Sequence, residues 1–273
     1  MTLASAIAGC GDADEGMGNV SFSTWGEEYI EQEIPAADVE DAWTIHYEKF
    51  LVNLGHIVLA DEGGKVAEMA GTKIFDHTKA GTKPVIAFDG LPARALTHVS
   101  YEILPANDAS EAVDMGDVDK ALMVSNGYSI YVEATATKGS ESKKYKWGFK
   151  TATLYDRCKG ELGGKETDGV VVTNGGTDQP ELTIHGDHLY YDDLQAKEAK
   201  VRFDNIAAAD ADRDNVITME ELIKVKLAAI PAANGPYGTG SAAGINDLGA
   251  FVTALSRTVG HFRGEGECFA SAK

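Results

Sequence analysis

The chain has 273 residues, 44% of them hydrophobic, and sets 24 Lys and Arg against 43 Asp and Glu for a formal net charge of −19. That length allows one large domain or two small ones, and that apolar share is enough to bury a core. So acidic a surface repels phosphate backbones and anionic headgroups, which excludes nucleic acid and acidic lipid surfaces as partners and favours cations. No apolar run approaches the ~20 residues of a membrane span.

Residues Leu3-Ala4-Ser5-Ala6-Ile7-Ala8-Gly9-Cys10 are small and apolar. Their end, Ile-Ala-Gly-Cys, resembles the bacterial lipobox, in which the cysteine is acylated and becomes the mature N-terminus. Nine residues precede Cys10 and none is basic, whereas a working signal carries a basic n-region and a longer apolar stretch. The resemblance implies lipidation at Cys10. The partner is then the membrane, reached through an N-terminal lipid anchor, and the location is the cell envelope: periplasm, outer membrane or cell surface. Gly11 to Gly18, acidic and glycine-rich, reads as a tether, so residues 1–19 form a processing and linker segment.

Residues 20–193 read as a β-sandwich. Strands are expected at 43–47 and 50–59, a turn at Asp61-Glu62-Gly63-Gly64, and further strands at 84–88 and 99–104. A short helix is expected from Asp117, its cap, to the stop at Asn126-Gly127. The clearest hairpin follows. Tyr128, Ile130, Val132 and Ala134 alternate with polar residues, as do Tyr145, Trp147 and Phe149, across a polar loop at 138–142. Period two on both arms gives one buried face and one wet face. Strands at 170–172 and 182–185 complete the set. Many short strands with turns between them predict a mainly β fold, an antiparallel immunoglobulin-like β-sandwich.

Residues 194–273 change character and are expected to form a helical, EF-hand-type segment packed on the sandwich. Helices are predicted over 196–209, from Thr218 onward, and over 245–258 with Asn246 or Asp247 as cap. Between the first two lies Asp210 to Glu221. Calcium needs six to eight oxygens, and an EF-hand loop supplies them from positions 1, 3, 5, 7, 9 and 12. Those positions are Asp210, Asp212, Asp214, the Val216 carbonyl, Thr218 and Glu221. Position 6 is normally glycine; here Asn215 must adopt the left-handed conformation, which asparagine tolerates. No second loop is found, so the hand reads as a structural staple.

Ile184 to Asp193 packs two histidines with several acids and tyrosines. His185, Asp187 and His188 can converge on one metal, with copper or zinc as the expected ion, and His46, His56 or His261 could join them. The same His-Gly-Asp-His run is similar to half of the metallo-β-lactamase zinc motif. Thr183 stands where that motif needs a histidine, and only His261 follows it. No serine sits in a nucleophile elbow, and neither cysteine of the later pair has a basic neighbour set that argues a catalytic thiolate. The chain therefore reads as a binding protein with a metal or small-ligand cargo. The alternatives are a metal-dependent hydrolase or redox accessory using the histidine cluster, and a calcium-stiffened structural or adhesion module. Cys158 and Cys268 remain as a pair expected to bridge in an oxidising compartment.

Two stretches, Lys49-Phe50-Leu51-Val52-Asn53-Leu54-Gly55-His56-Ile57-Val58-Leu59-Ala60-Asp61 and Gly127-Tyr128 to Glu133 with its partner Lys146-Trp147-Gly148-Phe149, resemble the periplasmic copper-binding proteins of the methanobactin-cassette, MbnP-like type. The resemblance spans roughly residues 40–155. It implies an immunoglobulin-like sandwich with a metal cargo, although the second hairpin arm lacks the histidine expected in that family. The chain as a whole is also similar to EF-hand lipoproteins of Gram-negative bacteria.

Overall fold

The computed structural model describes residues 16–273; Cys10 and its lipobox-like segment lie outside the described residues. The architecture is mainly β: among the described residues a five-stranded and a ten-stranded sheet contribute to the main apolar core, two two-stranded ribbons accompany them, and a smaller cluster of Leu51, Ile74, Ala106, Met123 and Tyr131 is buried separately.

The larger sheet is organised by the strand Thr44–Asp61, which pairs antiparallel with Ile130–Lys138, His98–Ile103, Thr72–Asp76 and Gly64–Glu68. The two strands expected at 43–47 and 50–59 are one. A register shift between Tyr47 and Lys49 moves the buried positions from Ile45 and Tyr47 to Phe50 and Val52. A bulge flips the pleat phase without ending the strand, and in sequence this looks like a break. The Ile130–Lys138 and Glu141–Phe149 hairpin buries Tyr145, Trp147 and Phe149 as the alternation requires. Its loop is only Gly139-Ser140, since Lys138 pairs with Glu141, and Gly139 takes the φ of 59° that this tight turn needs.

The smaller sheet centres on Met17–Gly26. This strand runs antiparallel to Lys83–Pro92 and parallel to Thr177–Asp178 and Glu181–Ile184. Parallel pairs therefore accompany the expected antiparallel ones, and the sheets are mixed. The tether expected to run to Gly18 also ends sooner, because Met17 and Gly18 already belong to a strand that buries Val20, Phe22 and Thr24. Asp117–Asn126 is helical as expected, with Gly127 closing it in the left-handed conformation, but its cap is Gly116.

Beyond residue 194 the segment does more than pack on the sheets. Gly260–Phe262 pairs with Glu181–Ile184, and Phe269–Ala272 pairs with Thr153–Asp156, so with Val216–Ile217 it adds one strand to the smaller sheet and two to the larger. The helix expected over 196–209 shrinks to Asp204–Ala207. Asp193 Oδ1 accepts the Gln195 and Ala196 amides, and Asp192 holds the Lys200 amide and the Arg202 guanidinium. Carboxylates that satisfy local amides compete with a helix for them. The later helix is Leu248–Leu255, capped by Asp247 through the Ala250 amide. Cys158 and Cys268 form a disulfide with their Cα atoms 4.1 Å apart, fixing the stretch after Phe262 to the body of the protein.

Candidate metal centre

The strand Glu181–Ile184 ends at His185, whose amide donates to the Val259 carbonyl. Gly186 then turns the chain into a 3-10 segment, Asp187–Tyr190, which swings His188 back toward His185. Gly260–Phe262 lies alongside, with His261 opposite Thr183. The three imidazoles gather there. Ring centroids are 4.1 Å apart for His185 and His261, 4.9 Å for His188 and His261, and 5.4 Å for His185 and His188. One nitrogen from each ring lies within 4.8 Å of the others.

Hydrogen bonds decide which nitrogens are offered. Thr258 Oγ1 gives its proton to the Leu255 carbonyl, so it must accept from His188 Nδ1 at 3.1 Å. That leaves Nε2 of His188 with its lone pair bare. His185 Nε2 and His261 Nδ1 are buried and have no protein partner. Burial first, and then the proximity of His261, pushes both His185 and His188 down to about 3. Both rings are therefore neutral at physiological pH, the form that ligates metals. Beside His188 and His261 opens a cavity of about 460 Å³ that also meets Tyr191, Lys197 and Glu265.

Asp187 does not join this triad. It faces Glu27, which follows the Met17–Gly26 strand. Glu27 Oε2 lies 3.3 Å from His185 Nδ1, and its Oε1 accepts the Gly186 amide at 3.0 Å. Burial and the Asp187 carboxylate push the Glu27 carboxyl up to about 9. Asp187 Oδ2 accepts the Tyr191 hydroxyl at 2.8 Å, while Oδ1 has no partner. The single cluster expected from His185, Asp187 and His188 is thus two groups sharing His185: His185, His188 and His261, and Glu27, His185 and Asp187. His46 and His56 take no part; His46 Nδ1 meets the Gln32 carbonyl and His56 Nδ1 meets Glu102. Glu27 carries no motif and reaches the site only through parallel pairing over more than 150 residues.

In the calcium-type loop, carboxylate oxygens of Asp210, Asp212 and Glu221 lie within 4.8 Å of one another. Asp214 Oδ1 instead accepts the Val216 amide at 2.7 Å. Asn215 has φ 67°, the left-handed geometry position 6 demands. Thr218 and Glu221 form a capping box around the helix Met219–Leu222. The short strand Val216–Ile217 pairs parallel with Lys144 and Tyr145, so the sandwich supplies the strand contact that a second hand supplies in paired EF-hands. Asp210 Oδ1 is buried without a partner, which fits a cation, whereas Oδ2 accepts Lys143 Nζ at 2.7 Å.

No protein-family model and no curated protein matches the chain. Among solved structures, MbnP from Methylosinus trichosporium aligns over 93% of this chain and 98% of its own length, at 12% identity and a TM-score of 0.36.

Proposed function

We propose that this is an exported metal-binding protein whose cargo, copper or zinc, sits on His185, His188 and His261, with calcium bound in the Asp210–Glu221 loop as a staple. The observation that carries the reading is the pair of buried, partnerless imidazole nitrogens, His185 Nε2 and His261 Nδ1, in a three-ring cluster whose third member is oriented by Thr258. Buried polar atoms are almost always satisfied, and a metal satisfies several at once. Three imidazoles suit zinc or copper and leave a coordination position toward the neighbouring cavity. Asp210, Asp212, Asp214, Glu221, the Val216 carbonyl and Thr218 are the calcium ligands in this reading. The disulfide fits an oxidising compartment, and Cys10 would carry the lipid anchor that holds the protein at the envelope.

The test is elemental analysis and zinc or copper titration of the full chain in excess calcium. Tight transition-metal uptake that is lost in His188→Ala and His261→Ala variants, with calcium binding and the melting curve retained, is the expected result. A folded wild-type chain that takes up no transition metal overturns the reading.

A further inference from the structure

The acidic group on the far face of His185 is not used by the triad. Glu27 and Asp187 set two carboxyl groups against each other, and among the described residues neither is ion-paired with a lysine or arginine. Asp187 is 7% exposed, and apart from the hydrogen bond that a protonated Glu27 carboxyl shares with it, its Oδ1 finds no donor. The donors that do reach the pair are the Gly186 amide on Glu27 Oε1 and the Tyr191 hydroxyl on Asp187 Oδ2. One oxygen of each carboxyl and one nitrogen of His185 lie within 4.8 Å of one another. Burying two carboxyl groups together is costly unless a proton or a cation sits between them.

The surroundings favour a cation. Glu27 also lines a cavity of about 540 Å³ whose wall includes Glu28, Glu33, Asp38 and Glu265. Glu265 lines the histidine-side cavity too. A mouth walled by carboxylates raises the local concentration of cations and repels anions. It leads to a donor set of two carboxylates and one imidazole, which suits a borderline divalent ion such as zinc.

We propose that Glu27, Asp187 and His185 hold a second divalent cation, so that the centre is dinuclear and His185 is shared. The inference rests on the proposed triad site, because His185 belongs to both. His185 Nδ1, 3.3 Å from Glu27 Oε2, faces the carboxylate side, and the partnerless Nε2 is left for the triad ion. A neutral imidazole has one N–H, so filling both positions expels that proton to solvent along with any proton shared by the two carboxyl groups.

The experiment is zinc titration of the full chain in millimolar calcium, which keeps the Asp210–Glu221 loop from counting zinc. The expected result is two equivalents in the wild type. One equivalent remains in Glu27→Gln and in Asp187→Asn, and the one lost is not the one lost in His188→Ala. Glu27→Gln is nearly isosteric, and an unchanged circular dichroism spectrum and retention of the first equivalent show that it has folded. A wild type that saturates at one equivalent overturns the inference and leaves the triad reading standing, with Glu27 as a carboxyl that orients His185. Two equivalents persisting in both carboxylate variants overturn it as well, by placing the second ion elsewhere. No zinc uptake at all removes both readings.

Discussion

His77 is buried outside the candidate metal centre, and its own contribution to acid stability can be worked from the structure. Its ring is fully buried, next to Thr24 on the neighbouring sheet. Thr24 Oγ1 donates to the Leu182 carbonyl at 2.7 Å, so it must accept from His77 Nε2 at 2.9 Å. Nδ1 then keeps a bare lone pair with no partner. Burial first, and then the nearby Lys83 charge, pushes His77 down to about 3. In the unfolded chain the same ring has a pKa of about 6.5. The unfolded state therefore binds more protons between these values, and stability is full above pH 6.5 and falls as pH drops toward 3. At pH 5 the unfolded chain gains RT ln(1 + 10^1.5), about 2 kcal/mol, that the folded chain does not. His77→Gln keeps a donor to Thr24 and removes the titration. Urea unfolding in a metal chelator, at pH 7.5 and pH 5, should show the wild type losing about 2 kcal/mol more than the variant over that interval. His185 and His188 contribute equally to both proteins and cancel. Parallel losses in wild type and variant would mean that the His77 ring is solvated in the folded state, and the burial argument would fail.

The sequence carried the parts of the fold whose cause is local. The alternation of Tyr145, Trp147 and Phe149 needs only a two-residue period and one dry face, and the hairpin forms where that period predicts it. The EF-hand-type loop is equally local: every proposed ligand lies within twelve residues, and Asn215 takes the left-handed turn that its position imposes. The strand Met17–Gly26 was hidden because its neighbours, Lys83–Pro92 and Glu181–Ile184, lie far along the chain, and its glycines resemble a linker. The same distance concealed half of the candidate metal centre. His185 and His188 share a turn, whereas His261 arrives by antiparallel pairing with Thr183 and Glu27 by parallel pairing of its preceding strand. Asp187 was grouped with the histidines because it lies between them in sequence. A 3-10 turn points successive side chains about 120° apart, so Asp187 and His188 face different neighbours.

The remaining predictions concern the anchor and the calcium loop. Cys10→Ala, expressed behind a complete export signal, should move the protein from the membrane fraction to the soluble one; unchanged fractionation would dismiss the lipid anchor. Calcium at a hundred times its Kd adds about 2.7 kcal/mol, which raises Tm by roughly 5–10 °C in a chain of this size. Glu221→Gln should abolish most of that shift, and a variant that keeps it would show that Glu221 is not a ligand. Lys143→Met probes what the loop does with its own cation. Lys143 Nζ sits 2.7 Å from Asp210 Oδ2 and 3.2 Å from Asn215 Oδ1, so a bound calcium ion must share Asp210 with an ammonium. A unit charge and a divalent ion a few ångströms apart in a water-like dielectric repel by about 1–2 kcal/mol, so deleting the ammonium should tighten calcium binding on the order of tenfold. The calcium-free variant loses an ion pair and should melt earlier, so its calcium-induced shift widens from both ends. Calorimetry at low and high salt checks the origin, since the gain should shrink as ions screen the repulsion. If Lys143→Met binds calcium more weakly, the ammonium holds Asp210 in its ligating rotamer, and the two cations cooperate instead of competing.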